Sequence, residues 1–216
     1  MNLTLKPEVF QKFHPQLKVA FILAEGIDNK SKAEKANHLL ADIQKVVLLT
    51  FNKDTVKTHL LLAPWNVAKE EFGKKAKHYD TSVEILLEKT LRRQKLKTRD
   101  TATALLRYLA LKHLVPFGAD DLRKLQGDLN FEIQKGDLRY RDAKKILGKK
   151  LDYWKNTLTA LKPASTSALI HFEFLPPVSP AKQKEIVTEA VELIQAFCGG
   201  KIKTIVLDKK KSSANL

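Results

Sequence analysis

Apolar positions alternate between strand-like and helical spacing at both ends of the chain, and keep helical spacing through most of its middle. The first apolar run, Leu17 to Ala24, mixes β-branched and bulky residues, ends at Gly26 and predicts a buried strand. Beyond Asp28-Asn29, residues Ala33, Ala36, Leu39, Leu40 and Ile43 share one helical face, predicting a helix to about Lys45. Val46 to Phe51 reads as a second strand. Strand, helix and strand in so short a stretch compose a βαβ unit with parallel strands and a right-handed crossover. The succession returns at the far end. Ala168 to Leu175 predicts a strand and Pro176-Pro177 a turn. Ser179 and Pro180 then suit the cap and first position of a helix burying Ile186, Ala190, Leu193, Ile194 and Phe197. Gly199-Gly200 stops that helix, and Ile202 to Leu207 predicts another strand.

From Asp54 to Gln126 the pattern is mostly helical. One helix starts at Pro64-Trp65 and ends at Gly73. Thr81-Ser82-Val83-Glu84 has the form of a capping box, so a second runs from there to about Gln94. Asp100 can cap a third, which turns Leu105, Leu106, Leu109 and Leu111 inward and ends before a Pro116-Phe117-Gly118 turn. After Gly127, Asp128 to Gln134 and Leu138 to Arg141 predict a hairpin about Lys135-Gly136-Asp137. A helix is expected from about Asp142 into Tyr153-Trp154. The fold class is α/β: βαβ-like units at both ends form the sheet, and the central segment is helical. One domain is expected over 1–208, with 209–216 a flexible polar tail.

Composition narrows the class. Hydrophobic residues at 44% and charged residues at 29% describe a folding chain rather than a disordered one. One cysteine, Cys198, can form neither an intramolecular disulfide nor a cysteine zinc site, which points to a reducing compartment. No apolar run reaches membrane-spanning length, so no membrane partner and a cytoplasmic location are expected. Lysine and arginine number 39 against 24 acidic residues, a net charge of +15. Such an excess is the electrostatic footprint of a nucleic-acid binder.

The cations are grouped. Lys69, Lys74, Lys75, Lys77, Arg92, Arg93, Lys95, Lys97 and Arg99 gather around two helix ends of the central segment. A second group, Arg139, Arg141, Lys144, Lys145, Lys149, Lys150 and Lys155, is interleaved with Tyr140, Tyr153 and Trp154. Cations neutralise phosphates, and aromatic rings can stack unpaired bases. Other chemistries are missing. The eight glycines form no phosphate-binding loop, and no serine sits in a nucleophile elbow. The six histidines are isolated from one another and match no metal-ligand spacing. Neither cofactor nor metal is expected.

Between Trp65 and Asp137 the motifs have an order. Trp65 and Phe72-Gly73 precede Tyr79-Asp80-Thr81-Ser82-Val83-Glu84-Ile85-Leu86; then come Leu105 to Leu111 and Pro116-Phe117-Gly118-Ala119-Asp120-Asp121-Leu122. Lys124-Leu125-Gln126-Gly127-Asp128 and Lys135-Gly136-Asp137 close the series. This order resembles the B3/B4 domain of the phenylalanyl-tRNA synthetase beta subunit and its free-standing relatives, over roughly Leu17 to Asp208. The resemblance implies a layered α/β domain and a partner that is tRNA or aminoacyl-tRNA. It implies either hydrolysis of the ester bond of mischarged aminoacyl-tRNA or RNA binding without hydrolysis. Ser82 and Glu84 match the family's Ser-x-Glu, and Pro116, Gly118 and Asp121 its turn. Asp137 stands where relatives carry a glutamate, and His113 lies just before the turn. Glu84, His113, Asp121 and Asp137 are therefore the candidate catalytic residues. Lys74, Lys75, Lys77, Arg92, Arg93, Lys95, Lys97, Arg99, Lys144, Lys145, Lys149 and Lys150 are the candidate RNA contacts. Ala104 and Arg107 depart from the aspartate and asparagine that many members carry.

Overall fold

The computed structural model describes residues 1–70, 80–149 and 157–216. The chain opens with β1 (Asn2–Leu5) and α1 (Pro7–Lys12), then enters β2 (Lys18–Glu25) at its first apolar run. Helices α2 (Ala33–Thr50), α3 (Lys53–Thr58), α4 (Ala63–Glu70), α5 (Ser82–Leu91) and α6 (Thr101–His113) follow. Next are β3 (Phe117–Asp121), a 3-10 turn at Leu122–Lys124, the hairpin β4 (Leu129–Gln134) and β5 (Asp137–Arg141), and β6 (Ile146–Lys149). Last come β7 (Ser167–Phe174), α7 (Pro180–Cys198), β8 (Lys201–Leu207) and β9 (Ser213–Asn215).

Two sheets result. One has the order β3-β7-β2-β8, with every neighbouring pair antiparallel. Because β7 and β8 both run against β2, they are parallel to each other. Helix α7 is thus the crossover of a split βαβ unit with β2 in its gap. The other sheet is β6-β5-β4-β1-β9, in which only the β1–β4 pair is parallel.

The alternation along β2 separates the layers. Ala20, Ile22 and Ala24 join a core with Leu40, Leu105, Leu109, Ile186, Ala190 and Ile194 of the helices. Val19 and Phe21 join a second core with Leu3, Leu5, Leu129, Phe131 and Tyr140 of the other sheet. Helices α2, α5, α6 and α7, the four-stranded sheet and the five-stranded sheet therefore stack in that order, while α1 and α4 pack into the second core. A strand buried on both faces has no polar side to show, which is why Leu17 to Ala24 is continuously apolar. Full burial of each large side chain contributes about 1.5–3 kcal/mol.

Several expectations change. Val46–Phe51 is not a strand: α2 continues through Thr50, with Thr50 Oγ1 bonded to the Val46 carbonyl at 2.8 Å. Both edges of β2 are already taken by β7 and β8, so the sheet offers no place beside β2 for a strand there. The N-terminal βαβ unit does not form. Asn52 instead caps α3 with a capping box. Phe117–Asp121, read as a turn, is β3, paired with β7 along its length. The helix expected from Asp142 is replaced at Ile146–Lys149 by β6; Tyr153-Trp154 and Gly73 lie outside the described residues. The tail is not free of structure, since β9 pairs with Asn2–Thr4. Among the described residues no helix is long and apolar enough to cross a membrane.

Candidate nucleic-acid interface

Three of the residues singled out for catalysis, Glu84, His113 and Asp121, are engaged by their own neighbours. Glu84 closes the capping box of α5, accepting from Thr81 N at 2.6 Å and Thr81 Oγ1 at 2.7 Å. Both of its oxygens also accept from Lys69 Nζ, at 2.8 and 2.6 Å. His113, on the last turn of α6, meets Glu189 of α7 at 2.7 Å, and Lys112 reaches the other Glu189 oxygen at 2.5 Å. Burial pulls the His113 imidazole below its ordinary value, and the opposing pull of Glu189 does not restore it. Asp121 caps the 3-10 turn by accepting from Arg123 N and takes the Ser165 hydroxyl at 2.7 Å. Burial pushes the Asp121 carboxyl up, but hydrogen bonds from Ser165 and Arg123 and the Arg123 charge hold it below the usual carboxylate range. Asp137 sits at the start of β5, opposite Gln134; its side chain lies outside the described residues. Among the described side chains, no hydrogen bond or ion pair joins Glu84, His113 and Asp121 to one another.

A different polar group occupies the space between the sheets. The Tyr140 hydroxyl donates to Asp120 Oδ2 at 2.8 Å, and Thr159 donates to Asp120 Oδ1. His171 Nδ1 meets Glu173, and the imidazole packs among the rings of Phe21, Phe131 and Tyr140. Gly118 makes room for it: a Cβ at that position would stand 2.2 Å from the imidazole. These polar residues are at most 3% exposed, and the Tyr140–Asp120 bond fastens one sheet to the other. Burial, then the charge of Asp120, pushes the Tyr140 phenol well above its ordinary value. Tyr140 is thus no stacking platform for a base. The sequence carried one sign of this group, His171 and Glu173 in alternation within an otherwise apolar strand.

The connection between α5 and α6 is built differently. It runs Arg92-Arg93-Gln94-Lys95-Leu96-Lys97-Thr98-Arg99-Asp100, and its one acidic residue, Asp100, is buried as the cap of α6. Leu96 is 3% exposed and anchors it in the helical core. Its backbone is then held by side chains from the flanking helices. Asn37 of α2 accepts from Thr98 N at 2.9 Å and donates to Thr98 O at 3.0 Å. Gln44 of α2 donates to Gln94 O at 2.9 Å and accepts from Leu96 N at 3.3 Å. Arg107 of α6, one of the departures from the family pattern, donates to Leu96 O at 2.8 Å. Arg92, Arg93, Lys95, Lys97 and Arg99 all remain exposed. Arg92 pairs with Glu88 at 2.6 Å; the others make no ion pair among the described residues. Cations usually ride on mobile stems, but here the chain beneath them is locked.

The remaining basic candidates divide. Lys144 is exposed and Lys145 half-buried, their backbones fixed by Asp142, which accepts from Lys144 N at 2.8 Å and Lys145 N at 2.7 Å. Lys74, Lys75, Lys77 and Lys150 lie outside the described residues, as does the side chain of Lys149. Lys69 is spent: at 2% exposure it serves Glu84 and cannot meet a phosphate. No family model matches the chain, and no curated protein matches it.

Proposed function

We propose that the protein is a B3/B4-like, tRNA-associated module that binds RNA through the 92–99 connection, without hydrolysing an aminoacyl ester. The observation that carries the binding is the locked loop that presents exposed arginines and lysines and keeps its one carboxylate, Asp100, buried in a cap. Phosphate contacts supply most of the affinity for a nucleic-acid backbone, and holding the loop in advance lowers the ordering cost of forming them. Ester hydrolysis would need a positioned water and donors around a developing oxyanion. Glu84 and Asp121 are instead spent in caps, and His113 in a bridge between helices.

Titration of labelled tRNA by the protein over a range of salt concentrations tests this. Affinity is expected to fall steeply with salt. Lys95→Ala, Lys97→Ala and Arg99→Ala together should flatten the log-log slope by about 2–3 units, at roughly 0.7–0.9 per contact. Binding indifferent to salt, or unchanged in the triple variant, overturns the assignment of RNA to this loop. Turnover on a panel of aminoacyl-tRNAs overturns the absence of hydrolysis.

A further inference from the structure

A groove of about 330 Å³ opens between α2 and the 94–97 stretch of the same loop. Buried Leu40 and Leu96 lie beneath it, and exposed Ala41, the imidazole of His38 and the lysines Lys95 and Lys97 form its walls. We propose that this groove receives one unpaired nucleotide of a single-stranded RNA segment, with the base against Ala41 and the His38 ring, and its phosphate at Lys95 and Lys97. This rests on the RNA-binding reading and goes further by naming the form of RNA selected.

Three observations support it. A groove walled by the Ala41 methyl and the His38 ring and bordered by the exposed lysines Lys95 and Lys97 is complementary to a ligand with a flat, weakly polar body and an anionic end, as a nucleotide has. The shape is set beforehand, because the amides of Asn37 and Gln44, which also line the groove, are committed to Thr98, Gln94 and Leu96. Glu34 also lines it. Its carboxylate repels a phosphate and can accept a hydrogen from a base amino group, so the anionic end belongs with the lysines. A duplex cannot fill such a groove, since its bases are stacked inside. Unpaired bases can be splayed out and stacked on rings such as imidazole.

The test compares a single-stranded RNA oligonucleotide with a duplex of equal phosphate number at one salt concentration. The wild-type protein is expected to prefer the single strand. Ala41 is exposed on α2, so Ala41→Trp fills the groove from outside. That variant should lower single-strand affinity about tenfold, within the range of losing one stacked base. The ratio to duplex affinity should fall with it. Should Ala41→Trp not fold, His38→Ala, which removes the stacking ring from an exposed position, reads the same ratio. Equal affinity for both RNAs, or an unchanged ratio in the variant, overturns the groove while leaving RNA binding standing. Absence of salt-dependent binding to either RNA overturns the reading beneath it.

Discussion

Glu84 and Lys69 form a bidentate pair in which the lysine is 2% exposed and the glutamate 15%. The carboxylate also closes the α5 cap. Removing it strands a buried ammonium, so Glu84→Ala should cost about 3 kcal/mol in urea unfolding. Glu84→Gln combined with Lys69→Met should recover most of that loss, because glutamine still completes a capping box and no charge is left unpaired. At His113, burial holds the imidazole below 6.5, so the folded protein binds fewer protons than the unfolded chain below that pH. Its contribution is therefore present above about pH 6.5 and lost as pH falls through the folded value. Glu189, held low by Lys112 and His113 against the opposing effect of burial, adds a loss in the same direction at lower pH. Lys112, Lys182 and Glu185 also act on the imidazole. His113→Gln should flatten the decline in melting temperature from pH 6.5 downward.

Helix α2 shows how an element can be read correctly at its start and wrongly at its end. Its buried face, Ala36 and Leu40, was legible from spacing, whereas Val46–Phe51 looked like a strand by composition. The helix continues there with Leu49 89% exposed and Val46 53% exposed, so the apolar run records no buried strand. Caps were legible because they depend on a few adjacent residues: Thr81, Asp100 and Ser179 all cap as expected. The strands β3 and β9 were not, because each is short and exists only through a partner distant in sequence; β6 was missed although it pairs with its neighbour β5. The support of the basic loop was hidden for the same reason, being made by Asn37, Gln44 and Arg107 from two other elements. Asn37→Ala removes a support and no charge. It should weaken RNA binding several-fold by anisotropy while leaving the salt slope unchanged, since phosphate contacts are neither added nor lost.

At the scale of the molecule, the class of the fold was legible and its layering was not. A net charge of +15 pointed to a polyanion, and the 92–99 cluster to the place. Glu84, Asp121 and His113 also show that caps and helix-to-helix bridges use the same carboxylates and imidazoles that catalysis would. Strand β2 has one more consequence, concerning the order of events in time. Phe21 pairs with His171 on one side and with Ile205 on the other. As the chain is synthesised, α2 to α6 are made between β2 and its two hydrogen-bonding partners. The helices can take shape from local contacts while β2 waits, but neither the four-stranded sheet nor the sandwich above it can close before β7 and β8 are made.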